Sequence, residues 1–186
     1  FAPLGCERMT LRRQLILRYT RLMARLCGQS FPKPEYISLS DPLPLLQWMR
    51  RALRKEGRCA VWAGVSLSVR ACLAAAEAGL DLEGATFHGG GEPPTPAKVA
   101  AIRDTGARWA PNYASTECGT MASACARPRD GSDVHLALDS FALLQRSRTV
   151  ETLEKPVDAL YVTSISPASS KLMLNVGLDD YGIVER

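Results

Sequence analysis

The chain has 186 residues, which is enough for one domain with its own hydrophobic core. Hydrophobic residues make up 46% of it and charged residues 23%, as in ordinary globular proteins, and no apolar run reaches the ~18–20 residues of a membrane span. The net charge of +4 is concentrated in the first quarter, but this basic segment lacks interleaved aromatic residues, so the composition disfavours nucleic acid as a partner.

Residues 1–35 are predicted to form a basic helix and a connection. The helix covers residues 8–27, and Gly28 ends it. A stripe of large apolar side chains recurs at helical spacing, at Leu11, Leu15, Tyr19, Leu22 and Leu26.

Residues 36–125 are predicted to form a parallel α/β nucleotide-binding subdomain. Apolar runs at 36–39, 59–63, 85–88 and 108–112 read as strands. Between them lie three helices: the first opens at Asp41-Pro42 and ends at Gly57, the second is capped by Ser66, and the third covers 96–105. This alternation predicts a parallel, right-handed sheet over about 36–112.

Residues 126–186 are predicted to be a β-rich, mostly antiparallel segment of the same domain. The strands expected there have no helix between them, and no flexible linker separates this segment from what precedes it. They cover residues 134–138, 141–145, 159–163, 172–176 and 182–185.

The six cysteines are scattered and form no CxxC pair, which favours free thiols in a cytoplasmic protein. His135 and Asp139 with Cys118 and Cys125 have metal-binding side chains, but their spacing matches no zinc template. We expect His135 at a strand edge and both cysteines packed. The sequence leaves any other role of these residues open.

Two loops follow successive strands of this predicted sheet. The first is the glycine-rich turn 89–92, after which Thr95-Pro96 opens a helix. The second is 113–119. In open α/β sheets ligands bind at the carboxyl ends of strands. Here Tyr113 offers a ring for stacking a base, the hydroxyls of residues 115–116 suit a phosphate, and Glu117 offers a carboxylate for a metal ion.

The two loops together resemble the adenylate-forming (acyl-CoA synthetase, AMP-binding) superfamily, and most of all its phenylacetate–coenzyme A ligase branch. The resemblance rests on Gly90-Gly91-Glu92-Pro93 and Tyr113-x-Ser115-Thr116-Glu117, one helix apart, and extends more weakly from Tyr36 to the end. Those enzymes join ATP and a carboxylic acid into an acyl-adenylate, from which coenzyme A displaces AMP. The resemblance implies the cofactors ATP/AMP, Mg²⁺ and coenzyme A, and a small, possibly aromatic, acid as substrate.

The first loop carries part of the implied nucleotide site. Gly90, Gly91 and Glu92 match the turn that lies along the adenine. In the second loop, Tyr113 matches the ring that packs on this base, and Ser115 is a further nucleotide-binding residue of that loop.

The implied catalytic residues are Thr116, which matches the hydroxyl that bonds the α-phosphate, and Glu117, which matches the carboxylate that helps hold Mg²⁺. Asp180 matches the aspartate that binds the ribose hydroxyls. Leu178 and Asp179 replace the Thr-Gly that precedes this aspartate in the family, so Asp179 is the alternative.

The family's phosphate loop and the small domain with its catalytic lysine have no counterpart in these residues. The resemblance therefore implies either a fragment of the large N-terminal domain of a ligase or a reduced relative. We expect this chain alone to bind AMP or ATP weakly and to be inactive in adenylation. A non-catalytic nucleotide-binding module and a structural or partner-binding piece remain as alternatives. Neither the acid nor the oligomeric state can be read from the sequence.

Overall fold

The computed structural model describes residues 10–31, 41–152, 154–169 and 171–185. The strand predicted at 36–39 lies outside these residues. The chain divides into two compact units, Phe1–Trp109 and Ala110–Arg186. The boundary predicted after residue 125, between a nucleotide-binding subdomain and a β-rich segment, stays a prediction. Among the described residues no helix combines the length and hydropathy that crossing a membrane would need.

The first unit alternates helices and strands, as predicted. Its first two strands, β1 (Cys59–Trp62) and β2 (Ala85–Gly89), are parallel, with Cys59 opposite Ala85 and Trp62 opposite His88. The elements in chain order are α1 (Leu11–Leu26), α2 (Leu43–Glu56), β1 (Cys59–Trp62), α3 (Val65–Glu77), β2 (Ala85–Gly89), α4 (Pro96–Arg103) and the start of β3 (Arg108–Ser115).

Local capping explains where these helices begin and end. The Asp41 carboxylate accepts the Leu43 N–H at 3.1 Å, and Gly57 follows α2 with a φ of 68° that favours glycine. Thr95 Oγ1 accepts the Lys98 N–H at the start of α4. The prediction that Ser66 caps α3 is wrong, because Gly64 is the N-cap and Ser66 lies within the first turn.

The core of the first unit lies where α2, α3 and α4 cover β1 and β2. Its largest fully buried side chains include Leu46 and Met49 of α2, Val65 of α3, Phe87 of β2, Ile102 of α4 and Leu82 before β2. Helix α1 is present where it was predicted. Its apolar stripe, however, is exposed in this structure, from 54% for Leu22 to 78% for Leu11.

The second unit is built from strands. They are the rest of β3, β4 (Gly119–Ser123), β5 (His135–Leu136), β6 (Phe141–Arg148), β7 (Val157–Ser164) and β8 (Val176–Tyr181). Strands β3, β4 and β5 pair antiparallel and continue the sheet order β1-β2-β3-β4-β5, while β6, β7 and β8 form a separate antiparallel sheet. The fold is therefore mixed α/β with a β-rich second half, as the sequence indicates.

Three parts of this unit differ from the predicted elements, beginning with β4, which was not predicted as a strand. Strand β3 continues to Ser115, so Tyr113 lies on a strand and not in a loop, because β4 offers it a hairpin partner. The strands predicted at 172–176 and 182–185 are replaced by β8 alone. β8 lies against β7 through antiparallel pairing that places Gly177 opposite Tyr161 and Val176 opposite Val162.

Candidate functional site

The glycine-rich turn after β2 requires glycine at its first position. A Cβ on Gly89 would collide with the carbonyl oxygen of Ala63 and would lie 2.9 Å from the Trp109 ring. Gly91 has a φ of 81°, which L side chains rarely adopt. Replacing Gly89 or Gly91 by another residue would therefore strain the turn.

Glu92, at the end of this turn, caps helix α3. One carboxylate oxygen accepts the Ser66 N–H at 2.6 Å, and the other accepts the Ser66 hydroxyl at 2.5 Å and the Lys98 ammonium at 2.7 Å. A carboxylate at this position satisfies a free N–H of the first helical turn and complements the helix dipole. Glu92 therefore connects the turn to the starts of both α3 and α4.

These contacts favour the charged form of Glu92. The hydrogen bond from Lys98, followed by those from Ser66, lowers the pKa of the Glu92 carboxyl from 4.5 to about 2. The predicted place of Glu92 along an adenine stays a prediction, since its two oxygens are occupied by protein donors here.

Trp62 and His88 form an aromatic pair near the carboxyl ends of β1 and β2. Their ring centroids are 4.9 Å apart and the planes differ by 15°. Trp62 is 59% exposed, whereas His88 is half-buried, and burial lowers the pKa of its imidazole. The pair gives this edge of the first unit an exposed aromatic surface.

In the second unit Tyr113 and Asp180 meet although 67 positions separate them. The Tyr113 hydroxyl donates to Asp180 Oδ2 at 2.7 Å. Burial, and then the nearby Asp180 carboxylate, raises the pKa of the Tyr113 hydroxyl, so it remains a donor. Tyr113 packs on the second core, which contains Met121 and Phe141, and is half-buried.

Asp179 has a different environment from Asp180. Its Oδ1 accepts from the guanidinium of Arg148 at 2.9 Å, and its φ of 59° places it in the left-handed region. Both aspartates are exposed. Of the two alternatives that the sequence leaves for ribose, only Asp180 touches another predicted site residue.

The turn between β3 and β4 carries the other predicted residues. Ser115 Oγ accepts the Cys118 N–H at 3.2 Å and so stabilises the turn. Thr116 and Glu117, at its tip, are exposed.

Glu117 and Cys118 also line a cavity of about 330 Å³ in the second unit. Apart from Glu117, its polar side chains are hydroxyls and one ammonium group, from Ser140, Ser164, Ser166, Ser169 and Lys171. Tyr113, Thr116 and Asp180 are not part of this lining. The cavity therefore combines one carboxylate with hydroxyl and ammonium donors that suit an anion. It lies next to the turn between β3 and β4.

Sequence reasoning missed several of these residues. Lys98 and Arg148 are ordinary surface cations in the sequence, and only the fold places them on Glu92 and Asp179. Asn112, just before Tyr113, has a buried Oδ1 without a hydrogen-bond partner among the described residues. The serines that line the cavity, Ser164, Ser166 and Ser169, lie close together in the sequence, and this clustering is the signal that could have identified them.

Comparison with known proteins gives distant structural matches only. No family model matches the chain, and no curated protein is significantly similar to it. An amide bond synthetase from Marinactinospora thermotolerans superposes with a TM-score of 0.46 at 17% identity, over 74% of this chain and 29% of that one. A luciferase-like enzyme from the nonluminescent Zophobas morio mealworm gives 0.49 at 13% identity, over 91% and 40%. The chain thus spans less than half of either enzyme.

Proposed function

We propose that this chain carries nucleotide-binding elements of an acyl-adenylate-forming enzyme. The observation that carries the proposal is the 2.7 Å hydrogen bond between Tyr113 and Asp180. The motif resemblance needs these two residues in one nucleotide site, and nothing in their local sequence requires them to meet. An aromatic ring beside an exposed carboxylate is a suitable pair for a nucleoside, since the ring stacks on the base and the carboxylate accepts from ribose hydroxyls.

Asp180 is assigned to the ribose in this proposal. Tyr113 occupies one of its two oxygens, which leaves the other to accept from a sugar hydroxyl. Asp179 is assigned to a structural ion pair with Arg148, whose side chain is 52% exposed. The two neighbouring carboxylates therefore provide a test variant and its matched control.

The phosphate end of the site is assigned to Thr116 and Glu117. Thr116 would donate to the α-phosphate, and Glu117 would supply an oxygen ligand for Mg²⁺, which usually takes one or two carboxylates together with phosphate oxygens. The cavity beside Glu117 offers donors for phosphate oxygens, from the Lys171 ammonium and from several serine hydroxyls. Mg²⁺, when bound, would neutralise negative charge on the phosphates.

The proposal also covers the carboxylic acid that is activated and the branch of the superfamily. We assign an aromatic carboxylic acid, activated for transfer to coenzyme A as in the phenylacetate–coenzyme A ligase branch. The aromatic acid rests on the motif resemblance, through Gly90-Gly91-Glu92-Pro93 and Tyr113-x-Ser115-Thr116-Glu117. Gly90 and Gly91 keep the turn that the resemblance assigns to the base.

Release of pyrophosphate from ATP tests the proposed activity. The assay compares this chain with a longer protein that contains it, across a panel of aryl and fatty acids. We expect acid-dependent release from the longer protein, strongest with an aryl acid. We expect negligible release from these 186 residues alone, because no segment of them matches the family's phosphate loop or catalytic lysine, and each absent donor costs on the order of a hundredfold in rate.

A matched pair of variants links this activity to the proposed site. In the longer protein Asp180→Asn should lower the release of pyrophosphate, whereas Asp179→Asn should leave it near the wild-type rate. A longer protein that contains a phosphate loop and the lysine, yet uses none of the acids, would contradict the ligase assignment. If that protein also binds no ATP, the nucleotide site itself is contradicted.

A further inference from the structure

Three side chains with metal-binding donors meet where the loop between β4 and β5 begins and ends. Cys125 Sγ, a carboxylate oxygen of Asp133 and an imidazole nitrogen of His135 all lie within 4.8 Å of one another. The register explains this, since Ser123 pairs with His135 and the residues just beyond this pair face each other across the loop. We propose that these three residues bind a zinc-like divalent metal ion.

The separations suit a small tetrahedral ion. Bonds of about 2.0–2.3 Å in a tetrahedral site place neighbouring ligand atoms roughly 3.3–3.8 Å apart. The observed upper limit of 4.8 Å thus requires a closure of at most about 1–1.5 Å, which side-chain rotation can supply. Three protein ligands leave the fourth position to water or another ligand.

The surrounding contacts prepare this arrangement. Asp133 Oδ2 accepts the Arg129 N–H at 2.9 Å, which orients the carboxylate and leaves its other oxygen available. The Arg129 guanidinium is in turn paired with Glu185. Cys125 follows Ala124, whose N–H is bonded to the Pro111 carbonyl at 2.8 Å, so the start of the loop is fixed as well.

The donor set selects the class of metal. A thiolate and an imidazole favour Zn²⁺ or Co²⁺ over Mg²⁺ and Ca²⁺, which prefer oxygen ligands. The site is therefore chemically distinct from the Mg²⁺ role proposed for Glu117, and it does not rest on that proposal. It joins the two ends of the loop 124–134, so bound metal stabilises the hairpin of the second unit.

The structure also corrects the metal candidates considered from sequence. Asp139 accepts from the Ser140 hydroxyl, and Cys118 lies 3.3 Å from the sulfur of Met173. Neither belongs to the cluster, whereas Asp133 does. His135 is exposed, and Cys125 and Asp133 are half-buried, so an ion can reach the three donors from solvent.

Cobalt titration of the reduced, metal-free chain tests the site, because Co²⁺ replaces Zn²⁺ and reports its ligands spectroscopically. We expect one equivalent to bind with visible bands of a four-coordinate ion and a thiolate-to-cobalt charge-transfer band, and Zn²⁺ to displace it. Cys125→Ser should remove the charge-transfer band, and Asp133→Asn and His135→Ala should each weaken binding by more than about tenfold.

Cys27→Ser is the control, because Cys27 is an exposed thiol in the turn directly after α1. It should leave the titration unchanged. Circular dichroism of each metal-free variant separates loss of binding from loss of fold, and Asp133→Asn gives an independent test should Cys125→Ser not fold. Wild-type cobalt affinity in folded Cys125→Ser, or a spectrum without thiolate character, would overturn the proposal.

Discussion

At the scale of single residues, the chain uses carboxylates in two different ways. Glu92 is held by three protein donors from Ser66 and Lys98, which makes it a structural cap in this structure. Within the described part of the chain, Asp180 has one neutral partner, the Tyr113 hydroxyl, and it remains exposed. A carboxylate with an unused oxygen and access to solvent is the better candidate for a ligand contact.

The Glu92 cap makes stability depend on pH in a defined window. Because the folded pKa of about 2 lies below the ordinary 4.5, the charged carboxylate stabilises the fold above pH 4.5, and this contribution is lost as pH falls toward 2. We expect Glu92→Gln to lower the free energy of unfolding at pH 7 by up to about 1 kcal/mol. Thermal melts of both proteins from pH 7 to pH 2.5 should show the difference shrinking below pH 4.5.

Glu77 provides the matched control at the other end of α3, where its side chain is exposed. Glu77→Gln should not reproduce this pH-dependent difference. Equal melting temperatures of wild type and Glu92→Gln at pH 7 would show that the three contacts add no net stability.

At the scale of elements, the helical half was predictable because its signals are local. Thr95 and Pro96 mark the start of α4 through a side-chain cap and a preset φ, and the glycines at 57 and 106 follow helix ends with positive φ. The β half was harder. Strand β3 continues through Tyr113 only because β4 pairs with it, and β8 is fixed by its register with β7. Such pairings depend on partners far along the chain, and the local pattern does not contain them.

The glycine turn after β2 provides a test at this scale. Gly89→Ala should destabilise the protein by about 1–3 kcal/mol, because its Cβ would meet the Ala63 carbonyl, directly after β1, and the Trp109 ring on β3. Gly91→Ala meets no atom within 4 Å and adds only the strain of a positive φ, about 1 kcal/mol. Urea unfolding of both variants measures the order. A Gly91 variant less stable than the Gly89 variant would contradict this account of the turn.

At the scale of the whole molecule, each compact unit contains part of what the resemblance implies. Gly90, Gly91 and Glu92 belong to Phe1–Trp109, whereas Tyr113, Thr116, Glu117 and Asp180 belong to Ala110–Arg186. The resemblance identified Tyr113 and Asp180 as candidates from short motifs. It could not choose between Asp179 and Asp180, since that choice depends on how β8 presents the two side chains and on Arg148 beside one of them.

Binding of AMP to the chain is the measurement that tests the central claim most directly. Isothermal titration or ligand-observed NMR should detect weak binding by the wild type. Tyr113→Ala should weaken it by up to about 1–3 kcal/mol if stacking is the main contact. Asp180→Asn should also weaken it, whereas Asp179→Asn should leave the dissociation constant unchanged. AMP binding that is lost with Asp179→Asn but kept with Asp180→Asn, or that is the same in all folded variants, would contradict the proposed nucleotide site.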